Sequence, residues 1–176
     1  FRWLMLYRIC TLFSYQMVAV TVGWHVYELT RDPWSLGLIG LAEVIPFFCV
    51  APFSGYLVDH LPRRKLGAAA CVVLALNALL LALVASDVVP LHGLWPIYLA
   101  IAIGGVARSF LGPVHNALFA RVLRRDQFGR GASIGSVVFQ AGLVLGPAIG
   151  GVLVGAAGKW VAYVLATLFA LIAAGA

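Results

Sequence analysis

The sequence predicts an all-α, polytopic membrane helical bundle: six transmembrane helices arranged as two inverted three-helix repeats. Three observations carry that prediction. Of 176 residues, 63% are hydrophobic and 10% charged, against roughly a quarter charged in soluble domains. The apolar residues gather in six runs, most of them near the length of about 20 residues that crosses roughly 30 Å of hydrocarbon. Cations cluster on alternate connections between those runs, nine against two, the asymmetry that orients membrane helices. A water-soluble enzyme, a disordered tail and a nucleic-acid-binding domain all fit this composition poorly. The net charge of +6 is accounted for by basic loops, so no nucleic-acid partner is expected. Strands are disfavoured, because an open sheet edge in lipid leaves backbone groups unpaired.

The first helix is expected over 9–27, after a flank carrying Arg2 and Arg8. The second, over 34–57, is interrupted only by Glu43; the third, over 66–86, is free of charge. The fourth, over 95–119, is interrupted only by Arg108. The fifth covers 131–156, and the sixth, 159–176, is somewhat short. Arg63, Arg64 and Lys65 follow the second helix, and Arg121, Arg124, Arg125 and Arg130 follow the fourth. On the opposite side stand only Arg31 and Lys159, with no cation after the third helix. The N-terminus is therefore expected in the cytoplasm. Trp24, Trp34, Trp95 and Trp160 fall near the predicted outer ends, as an interfacial aromatic belt requires. A chain that begins at Phe1 and stops inside an apolar run is expected to be a piece of a longer protein.

Little here suggests enzyme chemistry. Cys10, Cys49 and Cys71 lie scattered in apolar runs without C-x-x-C spacing and read as packing residues. The sequence offers no nucleophile beside a base, no metal-ligand spacing and no phosphate-binding loop. No metal and no cofactor are expected, and ATP-driven transport is not.

An internal repeat is legible. Gly55-Tyr56-Leu57-Val58 near the end of the second helix and Gly151-Val152-Leu153-Val154 near the end of the fifth share Gly-x-Leu-Val, followed by a helix breaker and a cation. Three helices is an odd number, so the second copy enters the bilayer the other way up. Secondary transporters are built from such repeats, with sites near the midplane between them. A chance match in so Gly- and Leu-rich a chain is the alternative.

Two ionic residues stand out by depth. Arg108 lies about 20 Å along its helix, where an Arg costs about 2.5–3.5 kcal/mol on insertion scales. It either faces a water-filled cavity, binding an anion or tuning a carboxylate, or is held by backbone carbonyls for packing. Glu43 is the one carboxylate far inside a span. Burial favours its neutral form and a nearby Arg its charged form, which is what proton coupling needs; a protonated, hydrogen-bonded core Glu is the alternative. Gly40, Glu43, Phe47, Val50 and Ser54 share a helix face expected to line a cavity. Gln16 and Gln140, inside helices one and five, are candidate substrate contacts, or interhelical hydrogen bonds. Tyr15, His25, Asn77, His115 and Asn116 are further polar groups in or near spans. Gly142, Gly146 and Gly150 recur every four residues, allowing close helix approach, and Pro147 removes a backbone hydrogen bond between them. Pro46, Pro52 and Pro113 mark further possible kinks.

Gly55 to Lys65 resembles the signature loop between helices two and three of the major facilitator superfamily, G-x-L-x-D-R-x-G-R-[RK]. Gly55, Leu57, Asp59, Arg63 and Arg64 match it; His60 and Pro62 stand where Arg and Gly are usual. GLVLGPAIGG resembles the fifth-helix Gly-Pro motif associated with exporters, through Gly142, Gly146, Pro147, Gly150 and Gly151. VGWHVYELT (Val22 to Thr30), the Gly37-Leu38-Ile39-Gly40 helix start and ARSFLGP (Ala107 to Pro113) are similar to the branch containing enterobactin-type siderophore exporters and macrolide-efflux relatives. Arg108-x-x-x-Gly112 loosely resembles the fourth-helix motif whose Arg is associated with proton coupling, with Leu111 in place of the usual Gln.

The resemblance covers the first six of the family's twelve helices. It implies a secondary active transporter, here a proton-coupled efflux antiporter of a drug- or siderophore-type small molecule, multi-pass in a bacterial inner membrane. Its implied partners are the lipid bilayer, a C-terminal six-helix half, a small-molecule substrate and protons. In that reading Glu43, Arg108, Gln16 and Gln140 serve substrate or coupling. Gly55, Asp59, Arg63, Arg64 and Lys65 form a gating loop. Uptake of a small solute on the same frame, or a non-transporting module that pairs with a partner, are the alternatives.

Overall fold

The computed structural model describes residues 1–87 and 93–176. Among these residues the chain forms six α-helices: α1 (Arg2–Thr30), α2 (Pro33–His60), α3 (Arg63–Ala85), α4 (Trp95–Val122), α5 (Phe128–Ala157) and α6 (Lys159–Gly175). A 3-10 turn at Arg125–Gln127 leads into α5, and no strand occurs among the described residues. Five helices are long and apolar enough to cross a membrane; α6, at 17 residues, is a shorter apolar helix. Part of the third connection, expected to carry no cation, lies outside the described residues.

Local chemistry explains the breaks. Arg31 ends α1 in the left-handed conformation at φ 49°. Asp32 caps α2, its carboxylate accepting the Trp34 N–H at 3.1 Å, with Pro33 at the first helical position where its missing donor does no harm. Gly158, at φ 93°, turns the chain from α5 into α6, a conformation that favours glycine. Pro46, Pro52, Pro113 and Pro147 lie inside helices that continue through them. α1 starts at Arg2 and not near Ile9, so Arg2 and Arg8 belong to the helix and not to a flank.

The helices pack in pairs: α2 along α4, α5 along α1, and α3 along α6, with α1 also on α6 and α3 on α4. One apolar core gathers Leu4, Met5, Cys71, Leu74 and Leu111 at one end of the bundle. A second gathers Val22, Val26, Leu81, Ile97 and Tyr163 at the other. Near that second end, Lys159 pairs with Glu28 at 3.0 Å, and His25 Nδ1 lies 3.3 Å from the Tyr163 hydroxyl, tying α6 to α1. Trp24, Trp34, Trp95 and Trp160 are all exposed there.

α2 and α5 are peripheral. On α2 only Ser35, Ser54 and Val58 are buried, while Phe48 and Phe53 stand exposed. On α5 the buried residues are Gly131, Gly142, Gly146 and Gly150. Three of these press against α1. A Cβ on Gly142 would lie 3.1 Å from Leu12, one on Gly146 only 2.6 Å from the Gln16 Cβ, and one on Gly150 3.3 Å from the Met17 Cα. Between apolar helices in lipid, such backbone approach supplies the dispersion contacts that hydrophobicity cannot. Gly146→Ala is therefore expected to destabilise the helix pair by about 1–3 kcal/mol, the usual range for overpacking, read as a lowered midpoint in thermal melting in detergent. Gly151→Ala, at an exposed position with nothing within 4 Å of the added carbon, should melt like wild type.

Candidate functional site

The two ionic residues singled out by depth meet. Arg108 Nη1 donates to Glu43 Oε1 at 2.8 Å and to the Tyr15 hydroxyl at 2.7 Å. The Tyr15 hydroxyl in turn donates to the same Glu43 oxygen. Three helices contribute: α1 gives Tyr15, α2 Glu43 and α4 Arg108. The residues share a level because neighbouring helices run in opposite directions. Counted from the end where α1 stops and α2 and α4 begin, Tyr15, Glu43 and Arg108 lie about 22, 15 and 20 Å deep at 1.5 Å per residue.

Gly105 permits the contact. A Cβ there would sit 2.5 Å from the Glu43 carbonyl oxygen, so α2 and α4 touch backbone to backbone one turn before Arg108. Residues three apart share a helix face, which places the Arg108 side chain opposite Glu43.

The cluster is partly exposed and borders a cavity. The side chains of Arg108 and Glu43 are 45% and 20% exposed, and Arg108 lines a cavity of about 220 Å³ together with Arg8, Gln16, Phe47 and Ser109. The guanidinium carbon stands 4.2 Å from the Tyr15 ring centroid and 5.6 Å from that of Phe47. Ring faces attract cations, so Arg108 keeps two partners even when Glu43 is neutral. Glu43 has no second cation within ion-pairing distance among the described residues. Protonating it would remove the anion from the cluster and leave the cation in place. That is the chemical capacity of the site: a carboxylate whose charge sets the strength of the ion pair that supplements the backbone contact between α2 and α4.

Of the other candidate contacts, Gln16 lines the same cavity as Arg108. Gln140 does not; it lines a separate cavity of about 340 Å³ with Arg8, His115 and Asn116. On the face expected to line the cavity, Phe47 lines the Arg108 cavity and Glu43 a separate, smaller one, Ser54 is buried with its hydroxyl donating to the Ala51 carbonyl at 2.7 Å, and Gly40 is exposed.

The loop after α2 divides in two. Arg63 is half-buried and braces the corner through long hydrogen bonds, 3.4 Å to the Val58 carbonyl and 3.5 Å to that of Ala117 on α4. Asp59, Arg64 and Lys65 are exposed, and Asp59 makes no ion pair among the described residues. Gly55 is half-buried with nothing within 4 Å of a would-be Cβ.

Two residues gain a role that their sequence positions did not mark. Tyr15 stood only among the polar groups within spans, yet it completes the cluster; a hydroxyl at the depth of the two ionic residues was the available signal. The sequence places Arg8 in a basic flank. It is half-buried, its guanidinium carbon 5.2 Å from the Phe139 ring centroid on α5, and it lines both cavities.

Comparison with known proteins agrees with this architecture. The defining pattern of the Major Facilitator Superfamily matches residues 4–176. YfiS of Bacillus subtilis, named "Uncharacterized MFS-type transporter", is 23% identical over 130 residues, 74% of this chain and 30% of that protein. MdtD of Escherichia fergusonii, named "Putative multidrug resistance protein", is 28% identical over 127 residues, 72% of this chain and 26% of that protein. Its namesake in Salmonella dublin matches to the same extent. The aligned part of the chain thus spans under a third of the length of these relatives. A match over almost every residue, on a bundle of apolar helices, has one consequence: this chain belongs to the Major Facilitator Superfamily of membrane transporters.

Proposed function

We propose that this chain is the N-terminal six-helix half of a proton-coupled exporter that moves a drug- or siderophore-type small molecule by alternating access. Its partner is a C-terminal six-helix half, and the shared site lies near the bilayer midplane. The observation that carries the reading is the Tyr15–Glu43–Arg108 cluster at mid-depth, in which Arg108 is 45% and Glu43 20% exposed and each borders a cavity. An intramembrane carboxylate paired with a cation and reached by water can take up and release a proton, and its pairing changes when it does. The names of the MdtD relatives support export of drug-like molecules.

The arrangement within the half follows from two inverted three-helix repeats. Exchanging α1 with α4, α2 with α5 and α3 with α6 converts the α1–α5 packing into α4–α2 and the α1–α6 packing into α4–α3, both main contacts of the bundle. All six helices then cross the bilayer with the N-terminus in the cytoplasm, in keeping with the placement of the cations and with a bacterial inner membrane. Asp59, Arg64 and Lys65, left exposed at the cytoplasmic end, are free to latch the second half in the outward-open state. The Gly142–Gly146–Pro147–Gly150 stretch, packed on α1 and short of one backbone hydrogen bond at Pro147, lets α5 bend as the halves rock.

The test is flux in proteoliposomes holding the full-length protein. Imposing a pH gradient should drive counter-movement of substrate in wild type, and Glu43→Gln should abolish the response to the gradient while leaving substrate binding detectable. Substrate flux indifferent to the gradient in wild type would refute proton coupling, and flux in the same direction as the protons would identify uptake instead.

A further inference from the structure

The ionic cluster stands between two cavities, one on each side along the bundle axis. On the side where α1 begins lies the Arg108 cavity. On the side where α1 ends lies a smaller one of about 70 Å³, lined by Ser14, Tyr15 and Val22 of α1, Ile39 and Glu43 of α2, Asn77 of α3 and Gly104 of α4, among others. Tyr15 borders both. The smaller cavity has mostly apolar walls, yet Asn77, 7% exposed, contributes an amide whose Oδ1 has no hydrogen-bond partner among the described residues. Gly104 makes room for it, since a Cβ there would stand 3.0 Å from the Asn77 amide nitrogen.

An unmet buried amide costs about 1–3 kcal/mol. The neighbours of Asn77 along the buried face of α3 are Leu74, Ala78 and Leu81, any of which would avoid that cost. A water needs about 10–15 Å³ of such volume, so 70 Å³ admits a few. From these observations we propose that Asn77 anchors water in this chamber, and that this water carries protons to and from Glu43 from the end of the bundle where α1 stops. The proposal rests on the proton-coupling reading above for its second clause only.

The charged groups around Glu43 give the route its direction. Facing it are Arg108 from α4 and Tyr15 from α1; Arg8 lines the cavity beyond Arg108, and α3 presents the neutral Asn77. A hydronium approaching through the Arg108 cavity meets two guanidinium charges, whereas the Asn77 chamber holds none among the described residues. Like charges repel, so exchange runs through the chamber, whose lining carries no guanidinium. In the step itself a hydronium there gives a proton to the Glu43 carboxylate and becomes water. The carboxylate becomes a neutral acid, and Arg108 keeps its own proton and its place over the Tyr15 ring. The reverse step returns the proton to a chamber water.

The probe is water itself. Radiolytic hydroxyl-radical footprinting of the full-length protein should label Val22, Leu74 and Ile101, which line this chamber and not the other. Asn77→Leu, similar in size but without the amide, should cut that labelling about tenfold, while Asn77→Ser, which keeps a hydroxyl beside added space, should stay within about twofold of wild type. Labelling of Leu143 in the Arg108 cavity serves as the internal reference. In proteoliposomes Asn77→Leu should reduce gradient-driven flux about tenfold and substrate exchange at equal pH far less, a split that mere loss of packing does not produce. Unlabelled chamber residues in wild type, or equal labelling in Asn77→Leu, would overturn the water site. Gradient-driven flux in Asn77→Leu equal to wild type would overturn the relay alone. Wild-type flux that ignores the gradient would overturn the relay together with the proton-coupling reading, leaving the water site to stand on its labelling.

Discussion

Arg108→Ala in the full-length protein is expected to reduce gradient-driven transport about 5- to 150-fold, the range that coupling free energies of 1–3 kcal/mol produce. Arg108 donates to both Glu43 and Tyr15 and lies over the Tyr15 and Phe47 rings. Its removal therefore strips the carboxylate of the cation that makes its two protonation states differ in consequence. The cost to stability should be smaller than the cost to activity. Removing one partner of a fully buried pair costs about 3–5 kcal/mol, but with Arg108 45% exposed the loss should fall toward the surface range of about 0–1 kcal/mol.

The variant should consequently insert and melt close to wild type while failing to couple, which flux and thermal melting measure separately. Arg108→Lys keeps the charge but loses the planar stack on the rings and should fall between. Combining Arg108→Ala with Glu43→Gln should cost little more than Glu43→Gln alone, as for groups that act as one unit. Wild-type coupling in Arg108→Ala would remove the cluster from the mechanism.

Gly105→Val carries the largest expected effect on stability. An added Cβ would lie 2.5 Å from the Glu43 carbonyl oxygen and 3.3 Å from its carbon. Those are backbone atoms of a continuous helix, so nothing rotates aside; α2 must move off α4. Overpacking typically costs about 1–3 kcal/mol and occasionally more, and a backbone obstacle places this variant at the upper end, about 3 kcal/mol. The shift would also separate Glu43 from Arg108, so coupling and melting temperature should fall together, unlike in Arg108→Ala. Gly104→Ala meets only the Asn77 amide nitrogen at 3.0 Å and should be milder, and Gly112→Ala, with nothing within 4 Å, should be close to neutral. A Gly105→Val protein that melts like wild type would show that the two helices are not in backbone contact.

The helices were legible because lipid imposes a single solution on the backbone: every N–H must find its carbonyl within the segment. That constraint acts on runs of residues and is read as runs. Ends were less legible. α1 continues back to Arg2, because a long basic side chain such as Arg8 can lie within the helix and rest over the Phe139 ring, a partner 131 positions away that composition cannot reveal. Depth was legible too, since Glu43 and Arg108 each interrupt an otherwise uncharged span. Partnership was not: Gln16 shares the Arg108 cavity and Gln140 does not, although both sit well inside apolar helices.

By itself, then, the sequence determined that this chain is a bundle of apolar helices with cations sorted to alternate connections and two ionic groups deep inside otherwise uncharged spans. Those properties are local or additive, set by transfer free energies residue by residue. Only the tertiary structure decided that Glu43, Arg108 and Tyr15 form one cluster, that Gly105 brings α2 and α4 together there, and that a chamber holding the Asn77 amide lies behind it. These depend on which helix faces meet and how closely. That is a matter of rotation and approach between segments, which small residues permit and which periodicity within one segment leaves open.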